Sequence, residues 1–260
     1  MRILFIGDIL GQPGRRIVKD KLPALRAELH ADVVLANAEN SAAGFGITPP
    51  LVEELLDQDI AVLTSGNHIW DKKEIYSYFR DQVNGRLLRP ANYPGNAPGR
   101  GLFVGQTPAG IGYAVINLQG RVFMPALDCP FRKADELLGS IPDDVKIRIV
   151  DMHAEATSEK QALAWYLDGR VTAVLGTHTH VPTADETVLP QGTAYITDLG
   201  MTGPYESVIG MDRAAVIQKF LDQMPARFEV AKGDVRLCGV LLEADPETGR
   251  AISIQRILRK

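Results

Sequence analysis

The sequence predicts an α/β fold with mixed sheets, on three observations. Short Val/Ile/Leu-rich runs recur and end abruptly in small or polar residues, as strands buried on both faces do. Segments of helical period lie between them. Two regions, 101–120 and 235–258, break this alternation and read as antiparallel pairs.

Taken in order, Ile3 to Ile6 is the first such run and stops at Gly7-Asp8. Val18, Leu22, Leu25 and Leu29 then repeat at helical spacing, with Pro23 expected to kink or split that helix and His30 at its C-terminal end, where a cation is favourable. Val33 to Ala36 stops at Asn37-Ala38-Glu39-Asn40, Leu51 to Leu56 carries a second helical stripe, and Ile60 to Leu63 stops at Thr64-Ser65-Gly66-Asn67-His68. Ile75, Tyr76 and Phe79 form a third stripe, and Ala91 to Arg100, rich in Pro and Gly, reads as a surface loop. Leu102 to Val104 and Tyr113 to Ile116 flank a Pro/Gly turn. Ile147 to Val150 ends at Asp151-Met152-His153, and Val171 to Leu175 at Gly176-Thr177-His178-Thr179-His180. Ser158 to Gln161 has the form of a capping box, and Asp212 is placed to cap a helix carrying Val216, Ile217, Phe220 and Leu221. Asp245 to Gly249 is the turn of a closing hairpin. No linker, repeat or low-complexity stretch interrupts residues 1–260, which read as a single domain.

Composition narrows the function. With 45% hydrophobic and 23% charged residues and a formal charge of -4, the chain reads as an ordinary soluble globular protein. Two cysteines exclude a disulfide framework or Cys-rich zinc module and are expected to be free thiols. No apolar run approaches the roughly 20 residues of a membrane span, and no signal peptide is evident, so the expected location is cytoplasmic. A mildly acidic chain without basic blocks is a poor fit to long nucleic acid.

The rare residues sit where ligands bind. Of five histidines, His68, His153, His178 and His180 all follow directly on a strand-like run, as do Asp8, Glu39, Asn40 and Asn67. In open α/β sheets the crevice beyond the strands' carboxyl ends takes the ligand, so these residues can converge although distant in sequence. Carboxylate, imidazole and amide oxygen together suit divalent first-row metals. His178 and His180, two apart in extended chain, share a face with Cα atoms about 6.5 Å apart. Glu39 and Asn40 can both be ligands only if the chain leaves strand geometry there. Taken singly, Asp8 also fits a helix N-cap, Asn67 a turn residue and His153 a hydrogen-bonded core histidine. Their conjunction at successive strand ends is what points to a metal centre.

Gly7-Asp8, Glu39-Asn40, Gly66-Asn67-His68, His153 and Gly176-Thr177-His178-Thr179-His180 resemble, in order, the motifs of the calcineurin-like metallophosphoesterases. Two departures matter: Asp8-Ile9-Leu10 stands where that superfamily has Asp-x-His, and Ala38-Glu39-Asn40 where it has Gly-Asp-x-x-Asp. Both are similar to the YmdB-type subfamily, as is Gly120-Arg121-Val122-Phe123-Met124-Pro125. The resemblance implies a four-layer α/β/β/α sandwich, two divalent metal ions per chain and phosphodiesterase activity toward 2',3'- or 3',5'-cyclic nucleotides. Carried over by position, Asp8, Asn40 and His180 would hold one metal, Asn67, His153 and His178 the other, and Glu39 would bridge. A carboxylate can span two cations about 3.5 to 4 Å apart, whereas an amide offers one oxygen.

His68, beside a ligand but not assigned to one, is the expected general acid. Iron or manganese is the expected metal, with zinc, nickel or cobalt as alternatives. The competing readings are a phosphomonoesterase or nucleotidase on the same site, and a regulatory module that uses the metals only to bind a nucleotide or a protein. Closed homo-oligomers are common among such enzymes.

Overall fold

A computed structural model describes residues 1–81 and 85–260. In chain order the first elements are β1 (Arg2–Ile6), α1 (Gly11–Leu29), β2 (Val33–Asn37), α2 (Pro49–Leu56), β3 (Val62–Thr64) and α3 (Ile75–Asp81). Then follow β4 (Leu102–Gln106), β5 (Gly112–Gln119), α4 (Pro130–Leu138), β6 (Ile147–His153), α5 (Thr157–Leu167) and β7 (Ala173–Thr177). The chain closes with β8 (Thr187–Val188), β9 (Ala194–Ile196), β10 (Gly203–Pro204), α6 (Arg213–Asp222), β11 (Val235–Ala244) and β12 (Ala251–Arg259).

Two mixed sheets result. The first runs β10-β11-β1-β2-β3 with β12 on the free side of β11, the second β4-β5-β6-β7-β9-β8. Within them β1-β2-β3 and β5-β6-β7-β9 are parallel, and the two regions that broke the alternation are antiparallel pairs, β4 with β5 and β11 with β12.

Strand alternation divides the apolar side chains between two destinations. Ile3, Phe5, Val33 and Leu35 meet Val115, Ile147, Ile149 and Leu175 between the sheets. Leu4, Ile6, Val34 and Ala36 pack outward under α1 and α2, and Ala114, Ile116, Val150 and Met152 outward under α4 and α5. The layers are therefore α/β/β/α, as expected. No helix among the described residues is long and apolar enough to cross a membrane.

Several local expectations change. Helix α1 runs unbroken through Pro23, because the buried stripe of Ile17, Val18, Leu22 and Leu25 outweighs the one hydrogen bond a proline forfeits. His30 is its C-cap, in the left-handed region at φ 50°. The capping box at Ser158 does not form: α5 starts at Thr157 after Ala156, with no side-chain cap. Asp212 does cap α6, accepting from the N–H groups of Ala214 and Ala215. The segment 91–100 is irregular, but Ala91 and Asn92 are buried at its start.

Candidate metal centre

Parallel strands β1, β2, β3, β6 and β7 all deliver their C-terminal ends to one edge of the sandwich; His153 is the last residue of β6, and every other candidate residue follows one of the strands. Strand β2 ends at Asn37, so the chain has left strand geometry by Glu39 and Asn40. The Glu39 N–H then donates to the Asn37 side-chain oxygen at 3.2 Å, which turns the Glu39 carboxylate inward. Asp8 does not cap α1, whose N-cap is Leu10 with no side-chain bond.

His153 Nε2 is the focus. Within 3.0 Å of it lie Glu39 Oε1 and Asn67 Oδ1, and His178 Nδ1 stands at 3.1 Å. One ring nitrogen can satisfy one such neighbour, so three around it mark a point where donor atoms meet rather than a hydrogen-bond network. Glu39, His153 and His178 form a cation-competent cluster with ligand atoms all within 4.8 Å of one another.

The second group adjoins it: Asp8 Oδ1 lies 3.9 Å from His180 Nε2, and the Asn40 amide nitrogen 3.0 Å from the same nitrogen. Turning the Asn40 amide over would present its oxygen instead. Asp8 Oδ1 is buried without a hydrogen-bond donor, and Glu39 Oε1 has only the crowded His153 nitrogen at 3.0 Å, an expensive arrangement for carboxylates unless a cation compensates. The residues present thus fit metal ligation.

The buried charges shift one another strongly. Burial raises the Asp8 carboxyl, against the pull of His180 and His153. Burial would also raise Glu39, yet His153 and His68 hold it to about 2. At His153 burial disfavours the cation, but Glu39, Asp8 and Asp151 outweigh it and lift the group to about 9. His178, lowered to about 3 by burial and the neighbouring His153, is a neutral ligand-type imidazole.

Surrounding groups hold these side chains in place. Thr177 donates its hydroxyl to Asp151 at 2.7 Å, so its oxygen accepts from His153 Nδ1 at 2.9 Å and leaves Nε2 facing the cluster. Asp151, raised to about 6 by burial, also accepts from Thr64 and Asn37 and ties the two sheets together beneath the centre. His178 Nε2 meets Glu155 at 3.1 Å, and His180 Nδ1 donates to the Ile209 carbonyl at 2.9 Å.

Gly66 is required by close approach, since a Cβ there would sit 2.0 Å from the His153 ring. His178 and His180 occupy positive φ, 101° and 66°, and Thr179 between them is pinned to Asp198 by its N–H at 3.0 Å and hydroxyl at 2.8 Å. Asp198 in turn pairs with fully buried Lys160 at 2.8 Å.

His68 is not among the three residues of the cation-competent cluster. Its N–H donates to Glu39 Oε2 at 3.0 Å while its ring Nδ1 meets Asp71 at 2.8 Å, with Phe45 edge-on at 5.0 Å between centroids. Sequence reasoning missed Asp71, Glu155, Thr177, Asp198 and Lys160. His68-x-x-Asp71 was the readable part, at a spacing that suits one helical turn.

Comparison with known proteins places the whole chain in one family. The profile of the family described as "YmdB-like protein" matches residues 4–257. A 2',3'-cyclic-nucleotide 2'-phosphodiesterase of Bacillus subtilis is 50% identical over 258 residues, covering 99% of this chain and 97% of the relative. A Thermus thermophilus crystal structure described as a hypothetical protein superposes with a TM-score of 0.93 at 42% identity, covering 100% of this chain and 99% of its own. The crystal structure of a novel phosphatase from Mycoplasma pneumoniae gives 0.92 at 36% identity, covering 100% and 93%. With the profile and the relatives spanning essentially the whole chain, this protein belongs to the YmdB-like family.

Proposed function

We propose that the protein is a metal-dependent phosphodiesterase that opens cyclic nucleotides, 2',3'-cyclic ones first, at the centre formed by Asp8, Glu39, Asn40, Asn67, His153, His178 and His180. The observation that carries this reading is the crowd of donor atoms around His153 Nε2, Glu39 Oε1 among them, beside the buried and unpartnered Asp8 Oδ1. Asn67, His153 and His178 would hold one divalent ion, Asp8, Asn40 and His180 a second, and Glu39 would bridge. Bound there, such ions lower the pKa of water toward neutrality and neutralise phosphate oxygens.

The chain's own residues do the rest. Asp71 takes up His68 Nδ1 and leaves Nε2 as the atom that can hand a proton to the departing ribose oxygen. Glu39 Oε2 accepts the His68 N–H, so the acid and the bridging carboxylate share one anchor. Thr177 and Asp151 keep the His153 ring turned to the centre, and Ile209 does the same for His180.

Purified, metal-loaded protein assayed against 2',3'-cyclic AMP, 3',5'-cyclic AMP, 5'-AMP and an aryl phosphodiester should prefer 2',3'-cyclic AMP. Preference for 5'-AMP would replace this reading with a phosphomonoesterase, and absence of turnover with every metal would leave a binding module. His68→Ala should keep its metal by elemental analysis and lose about 10²- to 10⁴-fold in kcat, the range expected for a general acid. Loss of metal in that variant would make His68 a ligand and remove it from the proton-transfer role.

A further inference from the structure

The turn that follows β5 is fastened on three sides and puts an aromatic ring in solvent three positions from a backbone bond to His153. Gly120 N–H donates to the His153 carbonyl at 2.9 Å, and at the far end Asp128 N–H donates to the Asn92 carbonyl at 3.1 Å. Between these ties the Glu159 carboxylate accepts the Arg121 N–H at 3.0 Å and the Val122 N–H at 3.2 Å.

On this fixed turn Phe123 is 89% exposed and holds φ at 61°. A bulky non-glycine side chain in the left-handed region is strained, and an aromatic ring left in water forgoes its burial; both costs at one residue are a signature of use. Phe123 is three positions past Gly120, so its Cα lies within about 11 Å of the Gly120 backbone bonded to the His153 carbonyl.

A second observation is independent of the first. Gln119, paired with His153 across β5 and β6, is fully buried, and both its amide oxygen and amide nitrogen lack a partner. It shares a strand face with Asn117, whose side chain bonds Ser65 two residues before Asn67. The unpartnered amide is therefore on the inter-sheet side, where the cluster lies. A buried amide without partners is one of the rarer features of a folded protein and calls for a ligand.

We infer that residues 119–123 form the nucleoside subsite, with the Phe123 ring as the stacking platform for the substrate base and the Gln119 amide as a hydrogen-bonding partner of the sugar-phosphate. The inference rests on the phosphodiesterase reading above and adds to it the recognition of a base. Stacking on an aromatic face tolerates any base, so the subsite selects nucleotides as a class rather than one of them.

The test is steady-state kinetics of the metal-loaded full chain on 2',3'-cyclic AMP and on base-free ribose 2',3'-cyclic phosphate. In Phe123→Ala the ratio of kcat/KM between the two substrates should fall about tenfold, chiefly through KM, while Phe123→Trp keeps it. A ratio within twofold of wild type in Phe123→Ala overturns the platform. Gln119→Met should lower kcat/KM equally for both substrates, and no loss with either overturns the role of the amide. Turnover of neither substrate by the wild type would overturn the phosphodiesterase reading itself, a result distinct from turnover without base preference.

Discussion

Glu39→Gln is expected to lose its metal and its hydrolytic activity together while remaining folded. The substitution keeps the shape of the side chain and a carbonyl oxygen able to accept the His68 N–H that Glu39 Oε2 accepts at 3.0 Å. What it removes is one of the two negative charges that the ligand set contributes, the other being Asp8, and the carboxylate proposed to lie between the two cations. Removing one partner of a fully buried charge pair typically costs about 3–5 kcal/mol, so metal affinity should fall at least about a hundredfold.

Elemental analysis after gel filtration measures the metal, and the cyclic-nucleotide assay measures the activity. Circular dichroism separates loss of metal from loss of fold. A Glu39→Gln protein that retains a full metal complement and turnover within tenfold of wild type would remove Glu39 from the centre. Asp8 then becomes the sole anionic ligand, and the bridging geometry has no candidate.

How much of this was legible beforehand depends on what kind of residue did the work. Candidate ligands at strand ends were readable because histidine is rare here and because apolar runs mark strand ends sharply. The four-layer arrangement came from the family resemblance, since periodicity alone says which residues are buried but not which of two cores receives them. Ile3 and Leu4 are adjacent and equally apolar, yet one faces the second sheet and the other faces α1. Pro23 misled for a reason of scale: a local rule costing one hydrogen bond lost to a four-residue buried stripe.

The residues around the ligands were illegible individually. Asp151, Thr177 and Asp198 are common types whose meaning lies in distant partners, such as Asn37 and Thr64 at 114 and 87 positions from Asp151 and Lys160 at 38 from Asp198. Glu159 is the instructive case. It stood inside an apparent capping box, yet its carboxylate serves the backbone of Arg121 and Val122 far along the chain. Lys160 did leave a trace. With Leu163, Ala164 and Leu167 it completes an i, i+3, i+4, i+7 stripe, which places a lysine on the buried face of α5.

That buried lysine leads to the second large effect: Lys160→Met should destabilise the fold by about 3–5 kcal/mol and loosen the His178-Thr179-His180 segment. Both members of the Lys160–Asp198 pair are fully buried, and Asp198 also accepts the N–H and hydroxyl of Thr179 and the N–H of Gly200. The pair therefore holds the segment whose two histidines sit at φ 101° and 66°, conformations that persist only where the surroundings enforce them.

Gly176 belongs to the same device. A Cβ there would meet the Thr197 carbonyl at 1.7 Å and the Lys160 stem at 2.9 Å, so the glycine of the Gly-x-His-x-His motif makes room for the clamp. Methionine fills the lysine's volume but leaves Asp198 charged, buried and short of its counter-ion. In a chain of this size such a loss corresponds to a fall of roughly 10 °C or more in Tm.

Asp198→Asn alone should also be destabilising, and the Lys160→Met/Asp198→Asn double variant should lose less than the sum of the two, because the pair acts as a unit. Thr179→Val separates clamping from stability, since it removes only the hydroxyl link to Asp198. Weaker metal retention there, with Tm within a few degrees of wild type, is the expected pattern. If Lys160→Met unfolds within about 1 kcal/mol of wild type, and Thr179→Val binds metal unchanged, the segment is held by its own packing and the buried pair is incidental to the centre.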